Sequence, residues 1–195
     1  MPNPWTWVNL TNVVWVEQPA GTGFSPVKST PQATSEEEVA AQFLGFWKNF
    51  VDTFGLHNRK IYITGESYAG YYVPYIADAM HNETDTEYYG VEGIQFYDPV
   101  LSTSTIQNDI PTYPAVEHWA PVFNLNDSFV EEMASKFDSC GYADYMSAAM
   151  TFPPAGPLPN ISTHPAKGCD LWNQVTSAAP LVNPCWDVYD ILTFW

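Results

Sequence analysis

The chain has 195 residues, 46% of them hydrophobic, with six basic side chains against 22 acidic ones and a formal net charge of −16. That length and apolar content are enough to bury one sizeable core, which excludes a disordered chain. The absence of any Lys or Arg between Ile61 and Val130 leaves no stretch that neutralises phosphates, so nucleic acid is a poor partner.

In chain order, the opening MPNPWTW lacks the basic and apolar regions of a signal peptide, and no apolar run approaches the roughly 18 residues that cross a bilayer. Asn9 nevertheless heads the first of four Asn-x-Ser/Thr acceptor triplets, the others being at Asn82, Asn126 and Asn160. Four in this length point to the secretory route, where such asparagines are glycosylated. Val13 to Val16, rich in β-branched and aromatic side chains and stopped by Pro19, Gly21 and Gly23, predict a strand running into a loop.

Ser35 with Glu38 three residues later makes a capping box, and Glu36 and Glu37 suit the positive end of a helix dipole. Val39, Phe43, Phe46, Trp47, Phe50, Val51 and Phe54 then recur at helical spacing, and Gly55 supplies the stop. KIYITGESYAGYYVPYIADAM follows as strand, turn and helix, with Pro74 either bending the helix or lying in an early turn. GIQFYDP, residues 93–99, reads as a further buried strand. This alternation predicts an α/β domain with a largely parallel central sheet covered by helices on both faces.

Beyond Ile110 the texture changes, because ten of the 17 prolines fall there and strand signals fade. DSFVEEMASKFDSC predicts a helix capped by Asp127 or Ser128, whereas FPPAGPLPNISTHPAKGC excludes regular structure. The expected division is a partial α/β core over residues 1–110 and a Pro-rich, Cys-containing insertion or cap over residues 111–195. Cys140, Cys169 and Cys185 leave the pairing open and one thiol over. No Cys/His spacing suggests zinc.

The chemistry-bearing stretch is Gly65-Glu66-Ser67-Tyr68-Ala69-Gly70. In a strand-to-helix elbow the serine takes a strained backbone conformation, and small residues two before and two after it let the helix pass close to the strand. The elbow lifts the Ser67 Oγ clear of the sheet and puts the Tyr68 N–H at the helix start, where it can hold the oxyanion of a tetrahedral intermediate. Ala69 departs from Gly-x-Ser-x-Gly but is small enough for the same task.

GESYAGYYVP, with VVWVEQPAGTGFS upstream, resembles the serine carboxypeptidase family, α/β-hydrolase-fold enzymes of the secretory route that remove C-terminal amino acids from peptides. The resemblance runs over most of residues 5–110 and more loosely to the end. It implies Ser67 as nucleophile, the Tyr68 amide as one oxyanion donor, Glu66 as the group that binds the substrate's terminal carboxylate, peptide C-termini as substrate, and no cofactor. Two carboxyls sit together only when they share a proton, so this recognition is expected to weaken as pH rises and Glu66 loses its proton.

The family's Asn-Gly-Gly-Pro-Gly segment is absent, and the base is hard to find among His57, His81, His118 and His164. His57 precedes the serine, His81 adjoins a glycosylation triplet, and His118 and His164 fall in the Pro-rich half. The expectation is therefore an internal piece of a carboxypeptidase, inactive by itself for want of the triad Asp and His. An esterase or lipase of the same fold, or a non-catalytic remnant or binding module, stands as the alternative. Tyr68, Tyr71 and Tyr72 either line an apolar subsite or belong to the core.

Overall fold

A computed structural model of the chain describes residues 2–27 and 33–192. Two compact units divide it, Met1–Val100 and Leu101–Trp195.

In the first unit, helix α1 (Glu36–Phe54) starts where Ser35 Oγ accepts the Glu38 N–H at 3.3 Å, and it ends at Gly55, whose φ of 64° is the left-handed stop. The capping box reaches one residue further back: Glu38 Oε2 accepts from the N–H of Thr34 at 2.6 Å and from its hydroxyl at 3.1 Å. Val39, Ala40, Phe43 and Val51 are buried, while Phe46 and Phe54 stay exposed, so the apolar stripe is wider than the face that the unit covers. Trp47 Nε1 donates to the Tyr88 carbonyl at 2.9 Å and so ties α1 to the short helix α3 (Thr86–Tyr89).

Strands β1 (Ile61–Glu66) and β2 (Val91–Tyr97) pair in parallel, with a register shift after Ile61. Between them runs α2 (Ala69–Asn82), which keeps Pro74 inside its span, and its Gly70, Val73, Ile76 and Met80 are buried. A core of Ala40, Phe43, Ile61, Ile76 and Met80 joins α1, α2 and β1.

Two expectations are corrected here. Val13–Val16 forms no strand, and Trp15 is 75% exposed: a strand exists only through ladder hydrogen bonds, and among the described residues the sheet contains β1 and β2 alone. Nor do the described residues cover the whole sheet on both faces, since Tyr62 is 66% and Ile94 45% exposed, although helices flank the parallel pair as expected.

The second unit is helical. A π-turn (Thr105–Asp109) leads into α4 (Ile110–His118), followed by α5 (Ala120–Phe123), α6 (Asp127–Ser139), α7 (Tyr142–Ala149) and α8 (Leu171–Val182). Its core gathers Ile110, Val116, Met133, Tyr142, Leu171 and Val175. The cap of α6 is Asn126 rather than Asp127 or Ser128: its side chain accepts the Phe129 N–H at 2.8 Å, because its own backbone is extended while the two following residues are already helical. A disulfide joins Cys140 to Cys169 across the irregular Pro-rich segment, and Cys185 is exposed and unpaired. No helix among the described residues is long and apolar enough to cross a membrane.

Candidate active site

The turn from β1 to α2 places Ser67 at φ 57°, the left-handed region that a residue with a Cβ enters at a cost of about 1–3 kcal/mol. Three backbone hydrogen bonds hold it there. Its N–H donates to the Tyr97 carbonyl at 3.0 Å, and its carbonyl accepts from the Gly70 N–H at 3.0 Å and the Val100 N–H at 2.9 Å.

The small neighbours are sterically required. A Cβ on Gly65 would lie 2.4 Å from the Ala69 Cβ and 2.9 Å from Val73 Cγ2, so β1 and α2 touch through the missing side chain. The Ala69 methyl fits because Gly65 has none. A Cβ on Gly70 would lie 2.4 Å from the Val100 carbonyl oxygen, which makes Gly70 a third small residue that the elbow pattern alone does not single out.

Glu66, Ser67 and Tyr68 are all exposed. The Tyr68 N–H has no acceptor among the described residues and stands at the start of α2, where partial positive charge gathers. Its phenol donates to Glu36 Oε1 at 2.9 Å, and that bond, reinforced by burial, raises the Tyr68 pKa above the usual phenol value. Sequence reasoning missed this use of Glu36, reading it as a dipole partner of α1; the contact spans 32 residues and leaves no local signal.

The histidines of the first unit stand away from Ser67. His57 lies just before β1, at the opposite end of a strand that rises about 3.3 Å per residue, so about 20 Å separates them. Its Nε2 meets Asp52 Oδ1 at 3.1 Å and its ring packs edge-on against Tyr88. The Tyr88 hydroxyl first, and then Lys48, hold the Asp52 carboxyl down at about 2. His81 lies in the last turn of α2, whose 1.5 Å rise per residue again sets it about 20 Å from the crest. His118 and His164 belong to the second unit and are exposed.

The EQPAGTGFS loop is closed on itself. Glu17 accepts the Phe24 N–H through its carboxylate and the Ser25 hydroxyl through its carbonyl, and the Gly21 N–H reaches the Ser25 carbonyl at 2.7 Å. Gly23, at φ 51°, lies against the Glu17 carboxylate, where any Cβ would collide. All four glycosylation candidates, Asn9, Asn82, Asn126 and Asn160, are exposed.

The family model described as serine carboxypeptidase matches residues 1–192. The chain is 47% identical, over 99% of its length, to a probable serine carboxypeptidase of Arthroderma benhamiae, and 44% identical, over 97%, to serine-type carboxypeptidase F of Aspergillus niger. It spans only 38% and 36% of the length of those relatives. Among solved structures it superimposes on the prohormone-processing carboxypeptidase Kex1 of Saccharomyces cerevisiae with a TM-score of 0.57, at 20% identity, over 84% of this chain and 34% of that one, a likeness of fold.

Proposed function

The chain belongs to the serine carboxypeptidase family, and on that premise we propose that Ser67 is the nucleophile with which the whole protein releases C-terminal residues from peptides. The observation that carries this reading is the exposed, positive-φ Ser67 followed by an N–H that no group among the described residues accepts. Ser67 Oγ attacks the carbonyl carbon of the last peptide bond, its proton passing to a base, and the Tyr68 N–H stabilises the oxyanion that forms. Collapse breaks the C–N bond, the amine leaves with that proton, and water hydrolyses the ester so formed. Glu66, adjacent in sequence and exposed, is read as the partner of the substrate's terminal carboxylate, the two carboxyls sharing one proton.

His57 and His81, both about 20 Å from Ser67, are not the base that takes its proton. The four exposed acceptor asparagines support passage through the secretory route. The test is fluorophosphonate labelling of the protein expressed from its whole reading frame, followed by peptide mapping. Label on Ser67, lost in Ser67→Ala together with release of C-terminal residues, is the expected result. Unchanged hydrolysis in Ser67→Ala overturns the reading, and a preference for esters over free-acid peptides replaces it with an esterase.

A further inference from the structure

Glu36 opens α1, Tyr68 immediately precedes α2, and the 2.9 Å bond between them ties the two helix starts together beside the crest that carries Ser67. Two features distinguish this bond from a surface contact. Glu36 Oε2 is buried with no partner among the described residues, while Oε1 accepts the Tyr68 hydroxyl. Polar atoms are seldom left in that state unless the arrangement they hold is needed. The Tyr68 ring is also packed against its own helix, 5.2 Å from the Tyr71 ring and 5.0 Å from the Tyr72 ring.

A residue's amide and its side chain share one Cα. Clamping the ring along its length and its hydroxyl at the far end therefore restricts φ and ψ of the residue whose N–H follows Ser67 and has no acceptor among the described residues. Tyr68 is 48% exposed, so without the tether its ring swings towards water and the amide direction loosens with it. Oxyanion stabilisation depends on donors already aimed before charge develops, and a small misplacement forfeits much of the effect.

We propose that Glu36 is a positioning residue for acyl transfer at Ser67: by tethering the Tyr68 hydroxyl it aims the Tyr68 N–H at the site where the oxyanion forms. The inference rests on the carboxypeptidase reading above. It adds a residue on a different element that no part of the serine motif identifies.

The experiment compares Glu36→Ala, Glu36→Gln, Tyr68→Phe and the Glu36→Ala/Tyr68→Phe double variant in the protein expressed from its whole reading frame, with an N-blocked dipeptide as substrate. Glu36→Ala is expected to lower kcat by about tenfold with KM changed by less than about twofold, since the lost interaction matters only in the transition state. Glu36→Gln, whose amide oxygen accepts the same bond, restores most of the rate. The double variant is no slower than either single one, because both remove the same bond. A phenol titration reads the tether independently of activity, with Tyr68 returning towards the usual phenol value in Glu36→Ala.

An unchanged kcat in Glu36→Ala overturns the proposal, as does a rise in KM alone, an equal loss in Glu36→Gln, or an unmoved Tyr68 titration. If kcat and melting temperature fall together in Glu36→Ala while Tyr68→Phe keeps both, Glu36 is a structural staple and the proposal is again overturned. Absence of fluorophosphonate label on Ser67 in the unmodified protein defeats the carboxypeptidase reading itself, and this one with it.

Discussion

Ser67 holds a left-handed conformation because three hydrogen bonds and two missing side chains leave it no other, and the same economy of space governs the buried polar residues of the second unit. Asp109 is 1% exposed; its Oδ1 accepts the Trp172 N–H at 3.1 Å, while Oδ2 is buried with no donor among the described residues. The groups facing it are Asp170, which caps α8, and Tyr142, whose hydroxyl donates to the Cys169 carbonyl at 2.8 Å. Burial, and then the charge of Asp170, raise the Asp109 carboxyl above its ordinary 3.8, and burial pushes Tyr142 to about 12. The folded chain thus keeps a proton that the unfolded chain has given up above pH 3.8. Stability from this group is whole below that pH and falls as pH rises through the raised value. Asp109→Asn, which keeps the acceptor and supplies the proton permanently, is expected to melt about 2–4 °C higher at pH 7, roughly the shift of 1 kcal/mol in a chain of this size, and to lose the advantage at pH 4. Thermal melts across that range check it.

At the scale of elements, the caps and stops of α1 were legible because a helix end is satisfied by residues within one turn of it, as Ser35 and Gly55 are. The Asn126 cap was one residue off for a related reason: Asp127 and Ser128 are equally good capping types, and only the backbone angle picks among neighbours. Asn126→Ala is expected to destabilise the second unit by about 1 kcal/mol, measured by urea unfolding. Val13–Val16 failed as a strand because a ladder needs a second chain segment, which no local pattern supplies. The Cys140–Cys169 pairing was equally out of reach of spacing, and it closes 29 residues that contain the irregular Pro-rich segment. Chain-entropy reasoning puts its contribution at about 3.5 kcal/mol. Protease nicking within 151–168 is expected to give two fragments that separate only after reduction, and Cys140→Ser to lower the urea midpoint accordingly.

Over the whole molecule, two units each carry a core of their own, the first built on a parallel strand pair with α1 and α2, the second on helices around Leu171 and Met133. All four acceptor asparagines lie at the surface. Protein secreted from a fungal host is therefore expected to lose mass stepwise on endoglycosidase treatment, and replacing each Asn by Gln removes one step; an unglycosylated secreted product shows that these asparagines are not used as acceptors. What the amino-acid order determined alone is the β1–Ser67–α2 elbow, the α1 boundaries and the family, because each rests on residues a few positions apart whose steric and hydrogen-bonding demands are met locally. What only the tertiary structure decided is the company kept across distance: Glu36 under Tyr68, Val100 beneath Gly70, Asp109 against Asp170, Cys140 with Cys169, and the separation of His57 and His81 from Ser67. Those depend on how far a strand or helix carries the chain before it turns back, a length that becomes a position only once the elements have packed.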